Sequence, residues 1–186
     1  LDIFYIHWPT EAMHLEEMLR ALQDLISAGK VLYPACSNFP AWLFCRCLGL
    51  AELHNFAPLV LGQHAYNLIE RGIEVELLPF AAAMGLGIVT YRPLGGGVLT
   101  GKYAAGVPSD ARGAHEAHQP TWANTYAEGI KRLVAFAEAR GYTAADAAIA
   151  WARSHPAVTA PIVGISRLDQ LEANLRGFDW EMSAEE

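Results

Sequence analysis

Cysteine is scarce: Cys36, Cys45 and Cys47 are the only three in 186 residues, and no two form a CxxC pair. An odd count without paired spacing argues against a disulfide framework or a zinc site. Lys and Arg are outnumbered 13 to 20 by Asp and Glu, giving a net charge of −7, so no basic stripe suited to nucleic acid is present. No apolar run approaches the roughly 18 residues of a membrane span. No signal-peptide pattern is visible, and a cytoplasmic setting is the default expectation. Also missing is GxGxxG, the turn that usually follows the first strand of an open dinucleotide-binding sheet. Charged residues are 18% against 53% hydrophobic, which excludes a disordered chain and leaves material for a sizeable core.

What is present alternates. Short β-rich runs over residues 1–7, 31–37, 58–63, 87–91 and 158–163 predict strands. Three-to-four apolar spacing predicts helices over 11–28, 40–54, 72–84, 124–140, 143–154 and 168–175, with Asn38 as a possible cap for the second. Residues 95–123, rich in Gly, Pro, Ala and His, read as a loop. Thr143-Ala-Ala-Asp146 has the form of a capping box with Asp in place of Glu.

Five βα units imply parallel strands with right-handed crossovers. The class is therefore α/β, either an open sheet or a barrel. Polar and unusual residues stand at the C-terminal end of each strand: His7-Trp8, Ser37-Asn38, Gln63, Tyr91-Arg92 and Gly164 to Ser166. In a (β/α)8 TIM barrel chemistry gathers on that rim, and the barrel is favoured. Five strands of eight cannot close, the chain opens on Leu1 inside an apolar run, and Ser183 to Glu186 reads as a capping box with no helix behind it. The expectation is one incomplete barrel domain over residues 1–186, cut at both ends.

The rim segments are DIFYIHWP (residues 2–9), SNF (37–39), QHAYN (63–67), YRPLGGGVLTGKY (91–103) and PIVGISRLDQLEANL (161–175). In this order, each at a strand end, they resemble the aldo-keto reductases from the fourth barrel strand to the region after the eighth. A lone His after an apolar strand is ordinarily a core or surface histidine. The resemblance implies that His7 belongs to the family's catalytic tetrad. A neutral imidazole there can donate a hydrogen bond to a substrate carbonyl and stabilise the negative charge that develops as hydride arrives. Trp8, otherwise a large hydrophobe at a rim, would line the substrate pocket.

Ser37, Asn38 and Gln63 are of types that also make turns and caps. The resemblance implies that they fix the nicotinamide carboxamide, with Tyr91 stacked on the ring and Arg92, Pro93, Leu94, Gly95 and Gly96 continuing the site. Gly96 to Tyr103 nearly spells a P-loop, but Tyr103 replaces the Ser or Thr that holds magnesium, and 104–108 cannot open a stable helix. As the family's loop after strand seven, its Gly N–H groups, the Thr100 hydroxyl and Lys102 would hold a pyrophosphate. Gly164, Ser166, Arg167, Gln170 and Asn174 would grip the adenosine end. A Ser/Arg pair suits a 2′-phosphate, so NADP(H) is preferred over NAD(H).

The sequence departs from the family in three places. Ala173 stands where Glu often precedes Asn, Leu32-Tyr-Pro-Ala35 replaces a polar, Gly-containing run, and Pro34 cannot donate to a ladder. His115 and His118 suggest metal ligation, but without a third ligand they read as solvated. The tetrad's Asp, Tyr and Lys match no residue here and are expected upstream of Leu1. The expected function is NADPH-dependent reduction of a small-molecule aldehyde or ketone, the chain alone being inactive. The alternative is a non-catalytic NADP(H)-binding sensor or accessory module. Neither substrate identity nor oligomeric state follows from the sequence.

Overall fold

Strands Ile3–Ile6 (β1), Tyr33–Ser37 (β2), Leu61–Ala65 (β3), Gly87–Tyr91 (β4) and Ala160–Ile162 (β5) form one sheet in sequential order in the computed structural model. The structure describes residues 1–103, 106, 118–183 and 185–186. The helices are Leu15–Ser27 (α1), Ala41–His54 (α2), Leu77–Met84 (α3), His118–Thr125 (α4), Ala127–Glu138 (α5), Ala144–Ser154 (α6) and Leu168–Asp179 (α7). Among the described residues no helix is long and apolar enough to cross a membrane. The chain divides into two compact units, residues 1–64 with 72–89, and residues 65–71 with 90–186.

In the first unit β2 runs parallel to both β1 and β3, with Ala35 opposite Tyr5 and Leu61. Pro34 keeps its place opposite Phe4 and accepts from the Val60 N–H at 3.0 Å. The donor it lacks would point to the same side, toward residue 58, ahead of β3; the ladder loses nothing there. Leu19 and Leu22 of α1, Phe44 and Cys47 of α2 and Leu78 and Ala81 of α3 bury their side chains, as do Ala35, Cys36 and Ile88 of the strands. Cys45, two residues from Cys47, is exposed, as their helical spacing requires. Burial pushes the Cys47 thiol up to about 11 and raises Cys36 as well, so both are inert at neutral pH.

The second unit is built on small residues. Ala147, Ala148, Ala150 and Ala152 of α6 are fully buried, and Gly177 of α7 lies against Asp146 and Ile149. The capping box is real: Thr143 Oγ1 accepts from the Asp146 N–H at 3.2 Å, and Asp146 Oδ2 accepts from the Thr143 N–H at 2.8 Å. Trp180 stacks on Tyr142 at 4.3 Å and on Phe136 at 5.8 Å, closing a cluster with Ala137, Ala147 and Ala150.

Six local expectations are corrected. Asn38 does not cap α2: Pro40 holds that position without a side-chain bond, and Asn38 adopts φ +63°. α1 starts at Leu15 rather than residue 11, because a turn closed by Met13 N–H on the Thr10 carbonyl comes first. Residues 72–84 break into a 3-10 turn, Gly72–Glu74, and α3, because Glu76 is at φ −132°. Residues 95–123 are not all loop: Gly95–Thr100 forms a kinked 3-10 turn, and α4 tolerates Pro120 because it lies in the first turn, where no intrahelical N–H bond is lost. The helix expected from residue 124 is interrupted at Tyr126, and α7 continues to Asp179, past a Gly177 that serves packing rather than termination.

Candidate functional site

The first unit ties three strand ends together. His7 follows β1, Ser37 and Asn38 end β2, and Gln63 lies near the end of β3. Both the Ser37 hydroxyl (2.9 Å) and the Asn38 N–H (3.1 Å) donate to the Gln63 carbonyl oxygen. The Asn38 amide nitrogen donates to Ser37 Oγ at 2.9 Å and to the His7 carbonyl oxygen at 3.1 Å. Asn tolerates the left-handed backbone this requires better than most residues. His7 is exposed, and the Trp8 ring stands 5.8 Å from it, tilted by 56° and itself 55% exposed.

The second unit holds a cavity of about 560 Å³. It is lined from the end of β4 by Tyr91, Arg92, Pro93 and Leu94, from the Gly turn by Gly96, Gly97, Thr100 and Lys102, and from β5 and α7 by Gly164, Ser166, Arg167, Gln170 and Asn174. Segments some sixty residues apart in sequence thus share one concavity, which is how dinucleotide-sized ligands are held. Gly95 alone of the expected cofactor residues in this unit does not line it; the site of a Cβ there faces Leu99 and Ile69. Among the described residues no Asp or Glu lines the cavity, whereas Arg92, Lys102 and Arg167 do. In a chain of net charge −7 that is a local reversal of sign.

The Gly turn is shaped by close approach. Gly97 adopts φ +96°, which favours glycine, and a Cβ there would sit 2.7 Å from Lys102 Cε and displace the end of the lysine. The Gly95 and Gly97 N–H groups are spent on the Arg92 and Leu94 carbonyl oxygens, and Thr100 Oγ1 donates to the Gly97 carbonyl at 2.8 Å. These three donors hold the turn itself. Arg92 is also diverted: its guanidinium pairs with Glu70 at 2.9 Å.

Two residues of this arrangement escaped the sequence reading. Asn67, fully buried, accepts through Oδ1 from the Ile69 and Glu70 N–H groups, and donates through Nδ2 to Glu70 Oε2 and to the Arg92 carbonyl. With Glu70 it holds Arg92 at φ +62°, the bend that turns Pro93 and Leu94 into the cavity wall. The signal was available, since Asn followed by a short polar stretch is an Asx-turn pattern. Tyr66 is buried and stacked on Trp151 at 4.9 Å, which leaves it no catalytic access. His115 and the His118 side chain lie outside the described residues.

Two comparisons with known proteins bear on these findings. The family model for the aldo/keto reductase family matches residues 1–186. A probable voltage-gated potassium channel subunit beta of Arabidopsis thaliana is 33% identical over 185 residues, covering 96% of this chain and 56% of that protein. An uncharacterized oxidoreductase, YrpG, of Bacillus subtilis (strain 168) is 30% identical, covering 100% of this chain and 56% of its own length. An L-glyceraldehyde 3-phosphate reductase of Escherichia coli O157:H7 is 33% identical over 189 residues, covering 96% and 54%. The chain belongs to the aldo/keto reductase family. It spans about half the length of the curated relatives it matches. The family's fold is the (β/α)8 barrel, and the five strands in sequential order are part of one.

Proposed function

We propose that this chain carries the NADP(H) site and the carbonyl-polarising histidine of a reductase that converts aldehydes or ketones to alcohols. The observation that carries it is the single cavity shared by twelve of the residues expected to touch cofactor: Tyr91, Arg92, Pro93, Leu94, Gly96, Thr100, Lys102, Gly164, Ser166, Arg167, Gln170 and Asn174. Lys102 would meet the pyrophosphate, Asn174 and Gln170 the adenine, Ser166 and Arg167 a 2′-phosphate, and Tyr91 the nicotinamide face. Ser37, Asn38 and Gln63 would hold the carboxamide, and His7 the substrate oxygen, with Trp8 as a wall. The cofactor supplies the hydride. His7 donates a hydrogen bond to the carbonyl oxygen as negative charge grows there.

In this reading residues 1–186 are part of a single barrel domain, and the three free cysteines suit a reducing, cytoplasmic setting. The family's Asp, Tyr and Lys match no residue of the chain, so turnover belongs to the whole protein. NADPH consumption with an aromatic aldehyde tests this. The 186-residue chain should bind NADPH without sustained oxidation, and sustained turnover by it would contradict the assignment. A second reading, a cofactor-binding module without turnover, is favoured by the relatives named as potassium channel subunits. Saturable NADPH binding by the whole protein, with no oxidation by any aldehyde or ketone, would select it.

A further inference from the structure

We propose that Asp169 limits the cavity's preference for NADPH over NADH by competing with the ribose 2′-phosphate for Arg167; this rests on the cofactor reading above. Arg167 stands at the start of α7, and its guanidinium Nε and one terminal nitrogen donate to the two Asp169 carboxylate oxygens at 3.0 and 3.1 Å. A phosphate would use a guanidinium edge in the same bidentate manner, so the two anions contend for one edge. Ser166, the other donor suited to a 2′-phosphate, is committed as well. Its hydroxyl (3.0 Å) and its N–H (2.9 Å) both donate to Gln170 Oε1.

The acceptors differ in charge. Gln170 is neutral, and its amide can turn to present donors to a phosphate. Asp169 cannot. The hydrogen bonds from Arg167 hold its carboxyl below the usual range, so it is ionised at neutral pH and repels a 2′-phosphate brought beside it. A ribose 2′-hydroxyl carries no charge, so it meets no such penalty and does not contend for the guanidinium edge. Asp169 lies outside the residues that line the cavity and acts on the ligand chiefly through Arg167. It is a specificity-determining residue for one end of the cofactor.

Asp169→Asn keeps an acceptor for the first turn of α7 and removes the charge. NADPH and NADH are titrated separately into wild type and variant at low salt, with melting temperature as the check on folding. An exposed ion pair of this kind corresponds to about a fivefold change. NADPH is therefore expected to bind about fivefold tighter to the variant, with NADH affinity unchanged. A merely structural role would shift both cofactors alike. An equal shift, or no shift, overturns the role of Asp169 while leaving the cofactor site standing. Absence of binding by either cofactor to wild type overturns the cofactor reading and this inference with it.

Discussion

The Asn38 side chain reaches across from the end of β2 and donates to the His7 carbonyl oxygen at 3.1 Å. One amide thereby fixes the backbone of the residue assigned to polarise substrate, from a neighbouring strand whose own end is bonded to β3 through Ser37 and Gln63. Asn38→Ala removes both side-chain bonds and places a Cβ residue without local compensation at φ +63°. Its expected cost is about 2 kcal/mol, from two hydrogen bonds of about 1 kcal/mol each. Asn38→Gly, which relieves the backbone, should lose less. Denaturant unfolding of the two variants orders them; equal losses would show that the backbone conformation is not strained for alanine.

His64 gives the first unit an acid-sensitive element. It is 5% exposed, its Nε2 has no hydrogen-bond partner among the described residues, and burial lowers its pKa to about 4. The unfolded chain would titrate near 6.5 and binds the proton first, so stability falls as pH drops from about 6.5 to about 4. Above that window the residue contributes no pH dependence. The full loss is on the order of 3 kcal/mol. His64→Leu should flatten the unfolding free energy between pH 6.5 and 4.5, and an unchanged slope would assign the acid sensitivity elsewhere.

Gly177 marks the tightest helix contact of the second unit. A Cβ there would fall 2.8 Å from Ile149 Cβ and 2.9 Å from the Asp146 carbonyl oxygen. Neither atom is the end of a flexible side chain, so Gly177→Ala must push α7 off α6. The expected cost is about 1–3 kcal/mol despite alanine's better helix propensity. Thermal melting checks it: a raised melting temperature would mean that the helices separate freely.

Much of this was legible in the sequence. Gly87–Tyr91 was bounded residue for residue, because glycine turns punctuate it and its apolar run is short. The capping box at Thr143 was likewise readable, since its two partners lie three residues apart. Local signals failed where tertiary contact decides. The last helix runs past its expected end at residue 175 to Asp179, where Gly177 packs against α6, and the Asn38 amide looks like a cap until His7 is found within its reach. Twelve of the residues named for the cofactor share one cavity, but sequence could not show that Glu70 takes Arg92, that Asp169 takes Arg167, or that the Gly95 and Gly97 N–H groups serve the turn itself. Such pairings depend on side-chain directions in space, which motif spacing does not carry.

The central claim, that the cavity at the end of β4 holds a dinucleotide, is tested most directly by calorimetric titration with NADPH. Wild type should bind one equivalent saturably. Lys102→Met, which removes a charged donor from the cavity wall, should weaken binding about tenfold or more. No saturable binding, or binding undiminished in Lys102→Met, would contradict the account.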